Sequence, residues 1–168
     1  ESLDAKSLYS LNWKFGKQST WNQHGITLER LKLLEREWME KAEAHQWIVP
    51  AARFALLPAQ SDGDEVIIYD PEEKELGRIS FTQCVGKGQK DKFSAAQYFY
   101  PKSSGYMDVI GLQIATAGKG LLKAIEEFKS KHDSESILYL QGLSDRVAED
   151  LAEYIHQLLR QRAGLKKE

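Results

Sequence analysis

The chain has 168 residues, of which 42% are hydrophobic and 29% charged, and its formal net charge is −2. This composition is typical of a globular protein, so we expect a single domain over residues 1–168. No basic surface pattern indicates nucleic acid as a partner. No apolar run approaches the ~20 residues that span a bilayer, so we also expect no membrane partner. Cys84 is the only cysteine, which excludes an intrachain disulfide and favours a cytoplasmic location.

The N-terminal part of the sequence combines aromatic and polar residues without a regular period. We therefore expect an extended aromatic arm over 1–25, followed by an α+β body over 26–168. Thr27 is a suitable N-cap for a helix over 28–46, in which leucines and a tryptophan recur at helical spacing.

A block of short strands follows this helix. Strands are predicted over 53–57, 65–69 and 77–82, with the turn-rich segment 58–63 joining the first two. The short connections favour antiparallel pairing. The strand over 107–116 is the most apolar, and we expect it to be central and buried on both faces.

The C-terminal third of the sequence is predicted to be helical, over 119–132 and 135–161, with Gly164 as the final helix stop. The glycine- and lysine-rich segment 85–92 is expected to be a loop. The sum of these elements predicts an α+β fold, a twisted antiparallel sheet with long helices packed on it.

The sequence indicates neither a self-contained active site nor a metal site. The segment Gly118-Lys119-Gly120 lacks the spacing of a phosphate-binding loop and is better explained as a strand-to-helix turn. No base is apparent beside Cys84 to activate its thiol. The histidines are too scattered to suggest metal ligands, at His24, His45, His132 and His156. We therefore predict no catalytic residue and no metal ligand in this chain.

The last helix carries a polar stripe. Asp145, Glu149, Glu153 and His156 fall at i, i+4, i+8 and i+11 and share one face. Carboxylates at this spacing repel each other unless water or a cation lies between them. The spacing leaves two interpretations open, a solvated surface or an acidic patch that binds an ammonium, a sulfonium or a partner's histidine.

A family likeness extends from about Tyr9 to Arg162. It is carried by the segments IVPAARFALLPAQSDGDEVIIY, PKSSGYMDVIGLQIATAG, FKSKHDSES and LSDRVAEDLAEYIHQLLR. In this order they resemble the activation (reactivation) domain of cobalamin-dependent methionine synthase, one domain of a methyltransferase. The resemblance implies docking on a cobalamin-binding domain or corrinoid protein, which holds the cobalamin. It also implies reductive remethylation of oxidised cobalamin with S-adenosylmethionine in methionine synthesis, with a flavodoxin-type reductant.

The resemblance also implies roles for three residues. Glu149 falls where the family has a carboxylate at the S-adenosylmethionine site. Asp145 falls where a carboxylate meets the histidine that is released from cobalt on docking. Leu11-Asn12-Trp13 stands where the family has Ile-Asp-Trp, so Asn12 would contact S-adenosylmethionine through an amide instead of a carboxylate.

One family motif has no counterpart in the sequence. Arg-x-x-x-Gly-Tyr follows the last helix in the family and supplies much of the S-adenosylmethionine contact. The chain is therefore either a piece of a longer protein or a shortened relative. The alternative function is a corrinoid-protein interaction module that does not bind S-adenosylmethionine. A third possibility, an unrelated stand-alone enzyme, is disfavoured because no catalytic set emerges.

Overall fold

The computed structural model describes residues 4–19, 21, 25–85 and 92–165. The chain divides into two compact units, the first comprising Glu1–Arg53 and Ile114–Ile155 and the second Phe54–Gln113 and His156–Glu168. Two compact units can still form one domain if they unfold together. The single domain expected over 1–168 therefore stays a prediction. Among the residues described, no helix is both long and apolar enough to cross a bilayer.

The α-helices are α1 (Ala5–Ser7), α2 (Leu28–Ala44), α3 (Gly120–Ser130) and α4 (Ser134–Arg162), and a π-helical segment, Leu8–Asn12, follows α1. Thr27 caps α2 as expected, since its side chain accepts a hydrogen bond from the backbone N–H of Arg30. The prediction of an extended arm over 1–25 is wrong for residues 5–12, which are helical. Asp4 caps the first turn, and Leu8 and Tyr9 are buried behind it.

The strands are β1 (Ala51–Asp62), β2 (Glu65–Tyr69), β3 (Glu75–Ser80), β4 (Cys84–Val85), β5 (Lys92–Phe93) and β6 (Asp108–Thr116). One sheet has the strand order β3-β2-β1-β6, and β4 pairs with β5. β1 is antiparallel to β2, and β2 is antiparallel to β3. The predicted α+β class, an antiparallel sheet with helices, is confirmed. The loop expected over 85–92 falls mostly outside the described residues, and its ends belong to β4 and β5.

The turn predicted over 58–63 is wrong, because β1 continues without a break to Asp62. The chain reverses at Gly63, whose φ of +64° favours glycine. A proline has no backbone N–H to donate to a ladder. Pro58 is tolerated because pairing with β2 begins at Ala59, which leaves Pro58 outside that ladder.

The central position predicted for the 107–116 strand is also wrong, because β6 is at an edge of the sheet. The side chains of Val109 and Ile114 are 50% and 73% exposed, so the strand is not buried on both faces. Ile110 points to the covered face and packs against the buried cluster of Ala59, Val66 and Ala96. The apolar composition indicates a strand but not how many neighbours it has.

The first unit has a helical core rich in aromatic residues. Its buried cluster consists of Leu8, Tyr9, Trp13, Trp21, Leu31, Trp38, Ala42, Ala124, Leu140 and Leu143. The Trp13 and Tyr139 rings meet edge to face with centroids 5.3 Å apart, a favourable aromatic geometry. These contacts join the N-terminal segment, defined here as residues 4–19, to α4.

In the second unit, the last turns of α4 lie on the sheet. A Cβ at Gly111 of β6 would be 3.4 Å from a methyl carbon of Leu159 and 3.7 Å from one of Leu56, so the three residues are in contact. α4 ends as predicted at Gly164, whose φ is +75°. The backbone N–H of Leu165 closes the end by donating to the carbonyl of Arg160 at 2.9 Å.

Candidate functional site

One side of α4 carries two of the predicted site residues. Gly142, Asp145 and Glu149 fall at i, i+3 and i+7 and therefore share a face of the helix. The helical rise places Gly142 and Glu149 about 10 Å apart along the axis. Both carboxylates reach the surface, and the Glu149 side chain is 60% exposed.

The N-terminal segment brings the third predicted residue, Asn12, to the same side of α4. Trp13 is 2% exposed, and its indole Nε1 donates to the carbonyl oxygen of Tyr139 at 3.0 Å. A Cβ at Gly142 would lie 2.7 Å from Trp13 Cδ1 and 3.0 Å from Asn12 Cβ. Only glycine permits this close approach. The structure thus places Asn12 at the start of the face that carries Asp145 and Glu149.

The environment of Asp145 disfavours its charge. Partial burial raises the pKa of the Asp145 carboxyl above its usual value, and the negative charge of Glu149 one turn away raises it further. A positive group placed between these two carboxylates would favour the charged form of both. The pair is therefore suited to receive a cation, such as an ammonium, a sulfonium or an imidazolium.

Sequence reasoning missed Arg146, whose guanidinium organises the same face. Its Nη1 lies 2.8 Å from Glu149 Oε2 and its Nη2 lies 2.7 Å from Asp150 Oδ1. The Arg146 side chain is only 13% exposed. The other carboxylate oxygen of Asp150 accepts a hydrogen bond from the backbone N–H of Asp4 at 2.9 Å. A basic residue followed by carboxylates at i+3 and i+4 was the available signal, but such spacing is common on exposed helices.

An open cavity of about 620 Å³ is lined by residues of the N-terminal segment, and Asn12 is not among those that line it. Asp4, Ser7, Ser10 and Leu11 are among its lining residues. Its volume is within the range of small-molecule pockets, and its hydroxyl groups can donate and accept hydrogen bonds. The first unit thus offers space for a small molecule on the N-terminal segment, in a cavity that Asn12, Asp145 and Glu149 do not line.

The remaining residues of the polar stripe do not join this arrangement. Glu153 is exposed, and no hydrogen bond or ion pair involving it is seen in the described part of the chain. His156 belongs to the second unit, where it lines a cavity of about 240 Å³ together with Leu56 and Leu159. Within the described residues, no three His, Cys, Asp or Glu side chains form a group that could hold a metal. His24 lies outside the described residues.

Comparison with known proteins gives two findings. The model of the family described as "Vitamin B12 dependent methionine synthase, activation domain" matches residues 7–167. A solved structure described as "Crystal Structure of the MetH Reactivation Domain bound to AdoHcy" is similar, with a TM-score of 0.78 and 24% sequence identity. The similarity covers 94% of this chain and 50% of that chain, so this chain spans about half the length of its structural relative. At this identity the likeness establishes the fold.

Proposed function

This chain belongs to the vitamin B12-dependent methionine synthase activation-domain family, and on that premise we propose that it binds S-adenosylmethionine and docks on a cobalamin-binding domain. It would there support the reductive remethylation of oxidised cobalamin, with cobalamin held by the partner and a flavodoxin-type protein as reductant. A cytoplasmic location is part of the same proposal. The observation that carries it is the alignment of Asn12, Asp145 and Glu149 along one face of α4.

The chemistry of this face fits the charge of S-adenosylmethionine, which has a sulfonium and an ammonium group. Glu149 is 60% exposed and, besides the oxygen bound to Arg146, has a second carboxylate oxygen that can accept from a cation. Asn12 adds an amide that donates and accepts hydrogen bonds. When bound, S-adenosylmethionine would supply a methyl group. The side chains of this chain would bind and orient it.

Asp145 is proposed as the residue that docks on the partner. The raised pKa of its carboxyl indicates that a nearby positive charge would stabilise the ionised form. A protonated histidine of the cobalamin-binding domain would provide this charge together with a hydrogen-bond donor. Docking would then relieve the repulsion between Asp145 and Glu149.

Titration calorimetry with S-adenosylmethionine tests ligand binding. We expect a sub-millimolar Kd for the natural chain and at least about tenfold weaker binding for Glu149→Gln, because a charge-assisted contact contributes on the order of 1.5 kcal/mol or more. Glu153→Gln is the matched control, an exposed carboxylate one turn further along α4, and should change Kd less than about twofold. If the natural chain gives no binding heat at millimolar ligand, the ligand-binding part of the proposal is wrong.

Docking is tested by mixing the chain with a cobalamin-binding domain in the cob(II)alamin state. We expect a change in the cobalt absorbance spectrum and a larger hydrodynamic radius, both reduced in Asp145→Ala and retained in Glu153→Ala. Adding S-adenosylmethionine and reduced flavodoxin should then regenerate the methylcobalamin spectrum. An unchanged spectrum and radius on mixing would contradict docking.

Two observations favour the alternative, a corrinoid-protein interaction module that does not bind S-adenosylmethionine. Asn12 is uncharged, and Glu149 already has a cationic partner in Arg146. The two proposals separate in the same experiments, because the interaction module would change the cobalt spectrum on mixing while giving no calorimetric signal with S-adenosylmethionine.

A further inference from the structure

Arg146 connects the candidate ligand-binding carboxylate to the start of the described chain. Its guanidinium contacts Glu149 through Nη1 and Asp150 through Nη2. Asp150 in turn accepts from the backbone N–H of Asp4, and the Asp4 carboxylate accepts from the backbone N–H of Ser7 and caps α1. A continuous set of polar contacts therefore runs from Glu149 to α1.

The geometry at Arg146 depends on the shape of the guanidinium. Its two terminal nitrogens engage different carboxylates at 2.8 and 2.7 Å, and the planar group fixes both directions at once. A lysine ammonium could contact either carboxylate but would not fix the directions of both contacts at once. Contacts of this kind orient their partners more strongly than a simple point charge does.

The burial of Arg146 distinguishes it from an ordinary surface ion pair. Its side chain is 13% exposed, and its Nε is buried without a hydrogen-bond partner among the residues described. A buried donor without a partner is unfavourable, because it has lost its hydrogen bond to water. A surface arginine pairing with i+3 and i+4 carboxylates would avoid this cost by keeping Nε in water. The guanidinium is thus held by its two carboxylate contacts in a largely buried position and not in open solvent.

We propose that Arg146 is a positioning residue that fixes the Glu149 carboxylate and, through Asp150, the Asp4 end of the N-terminal segment in one arrangement on α4. Its consequence for ligand binding rests on the proposed function, because it assumes that Glu149 contacts S-adenosylmethionine. Arg146 would hold one oxygen of Glu149 and leave the other directed to the ligand. Its connection to Asp4, which runs through Asp150, is independent of any ligand.

The ligand-free test measures amide hydrogen exchange by NMR at Asp4 and Ser7. In Arg146→Gln and in Arg146→Lys we expect several-fold faster exchange at Asp4, because Asp150 loses the partner that orients it. Arg78→Gln is the matched control, since Arg78 also contacts several carboxylates but lies in the second unit. Exchange at Asp4 that is unchanged in both Arg146 variants, while circular dichroism shows them folded, would overturn the proposal.

The ligand test measures the Kd of S-adenosylmethionine for the same variants. Positioning predicts about tenfold weaker binding in Arg146→Gln and little rescue in Arg146→Lys. If Arg146 instead competes with the ligand for Glu149, Arg146→Gln should bind more tightly, and this result would overturn positioning, as would full rescue by lysine. If the natural chain does not bind S-adenosylmethionine, the ligand-binding part of the proposed function fails. The amide exchange at Asp4 then tests by itself whether Arg146 is a positioning residue. If Arg146→Gln fails to fold, Arg146→Lys can be measured in its place, because it keeps the charge and the aliphatic stem.

Discussion

The two compact units bury different kinds of side chain. The first buries Tyr9, Trp13, Trp21 and Trp38 in one cluster with leucines of α2 and α4. In the second, the buried apolar residues that the structure describes are mostly aliphatic, and Tyr69 is the one aromatic residue among them. Large aromatic rings bury more area per residue and meet in specific geometries. Each aromatic contact in the first unit therefore restricts the orientation of the segments that it joins.

This difference accounts for the location of the candidate site. Asn12 reaches α4 because Trp13 is fixed between Tyr139 and Gly142. In the second unit, aromatic side chains such as Tyr98 and Tyr106 are 79% and 66% exposed. Exposed rings of this kind do not fix the backbone. We therefore expect substitutions in the first unit to affect the fold and the site together.

Trp13→Ala should give the largest loss of stability. Removing a fully buried tryptophan costs about 3–5 kcal/mol, and here the hydrogen bond from the indole to the carbonyl of Tyr139 is lost as well. Urea unfolding followed by circular dichroism measures the loss. Tyr98→Ala in the second unit is the control and should change the unfolding free energy by less than about 0.5 kcal/mol.

The same experiment bears on the predicted single domain. If the two units unfold together, fluorescence and circular dichroism report the same single unfolding transition, and Trp13→Ala shifts it as a whole. Two separated transitions, only one of which moves, would contradict a single cooperative domain. Equal stability losses for Trp13→Ala and Tyr98→Ala would contradict the inference that the aromatic residues of the first unit fix its structure more than those of the second unit do.

Gly142→Ala should give a smaller loss, of about 1–3 kcal/mol. The new Cβ would lie 2.7 Å from Trp13 Cδ1, so Trp13 and Asn12 must move away from α4. This cost opposes the gain of roughly 1 kcal/mol that alanine brings to a helix. Thermal unfolding measures the net effect, and calorimetry should show weaker binding of S-adenosylmethionine because Asn12 is displaced.

Gly77→Ala in β3 is the matched control for this substitution. A Cβ at Gly77 meets no heavy atom within 4 Å, so alanine should be neutral or stabilising by up to about 1 kcal/mol. A stabilised Gly142→Ala would show that the contact between the N-terminal segment and α4 is looser than the structure indicates.

Much of the fold followed from local pattern, whereas the connections between elements did not. The 3.6-residue period of α2 and the glycine stop of α4 depend only on near neighbours, so sequence identified both. The number of strands beside β6 and the continuation of β1 past Pro58 depend on distant residues, and both predictions were wrong. Tertiary contacts of this kind leave no periodic signal.

The candidate site divides in the same way. Asp145 and Glu149 could be identified from their spacing and the family resemblance. Arg146 could not, because its burial depends on how the N-terminal segment meets α4, which brings Asp4 to Asp150 across 146 positions of sequence.

Asp145→Asn should give the smallest effect, a gain in stability of about 0.5 kcal/mol near neutral pH, as is typical of surface substitutions. Burial and the charge of Glu149 raise the pKa of Asp145 in the folded chain above its value in the unfolded chain. The folded state therefore favours the protonated carboxyl. Its contribution to stability is fully present below the unfolded pKa of about 3.9 and is lost as the pH rises through the folded pKa. Asparagine is uncharged at every pH, so the variant does not lose this stability as the pH rises.

The gain should consequently be present at pH 7 and absent at pH 3, as measured by urea unfolding at the two pH values. It should shrink in a Glu149→Gln background, where one cause of the raised pKa is gone. Asp62→Asn supplies the comparison from the second unit. Asp62 contacts Arg78 at 3.1 Å, so Asp62→Asn should not increase the free energy of unfolding. An equal gain at both pH values would contradict the electrostatic cause. A pH-dependent gain together with impaired docking would mean that α4 carries Asp145 at a cost in stability because its charge is needed for the partner.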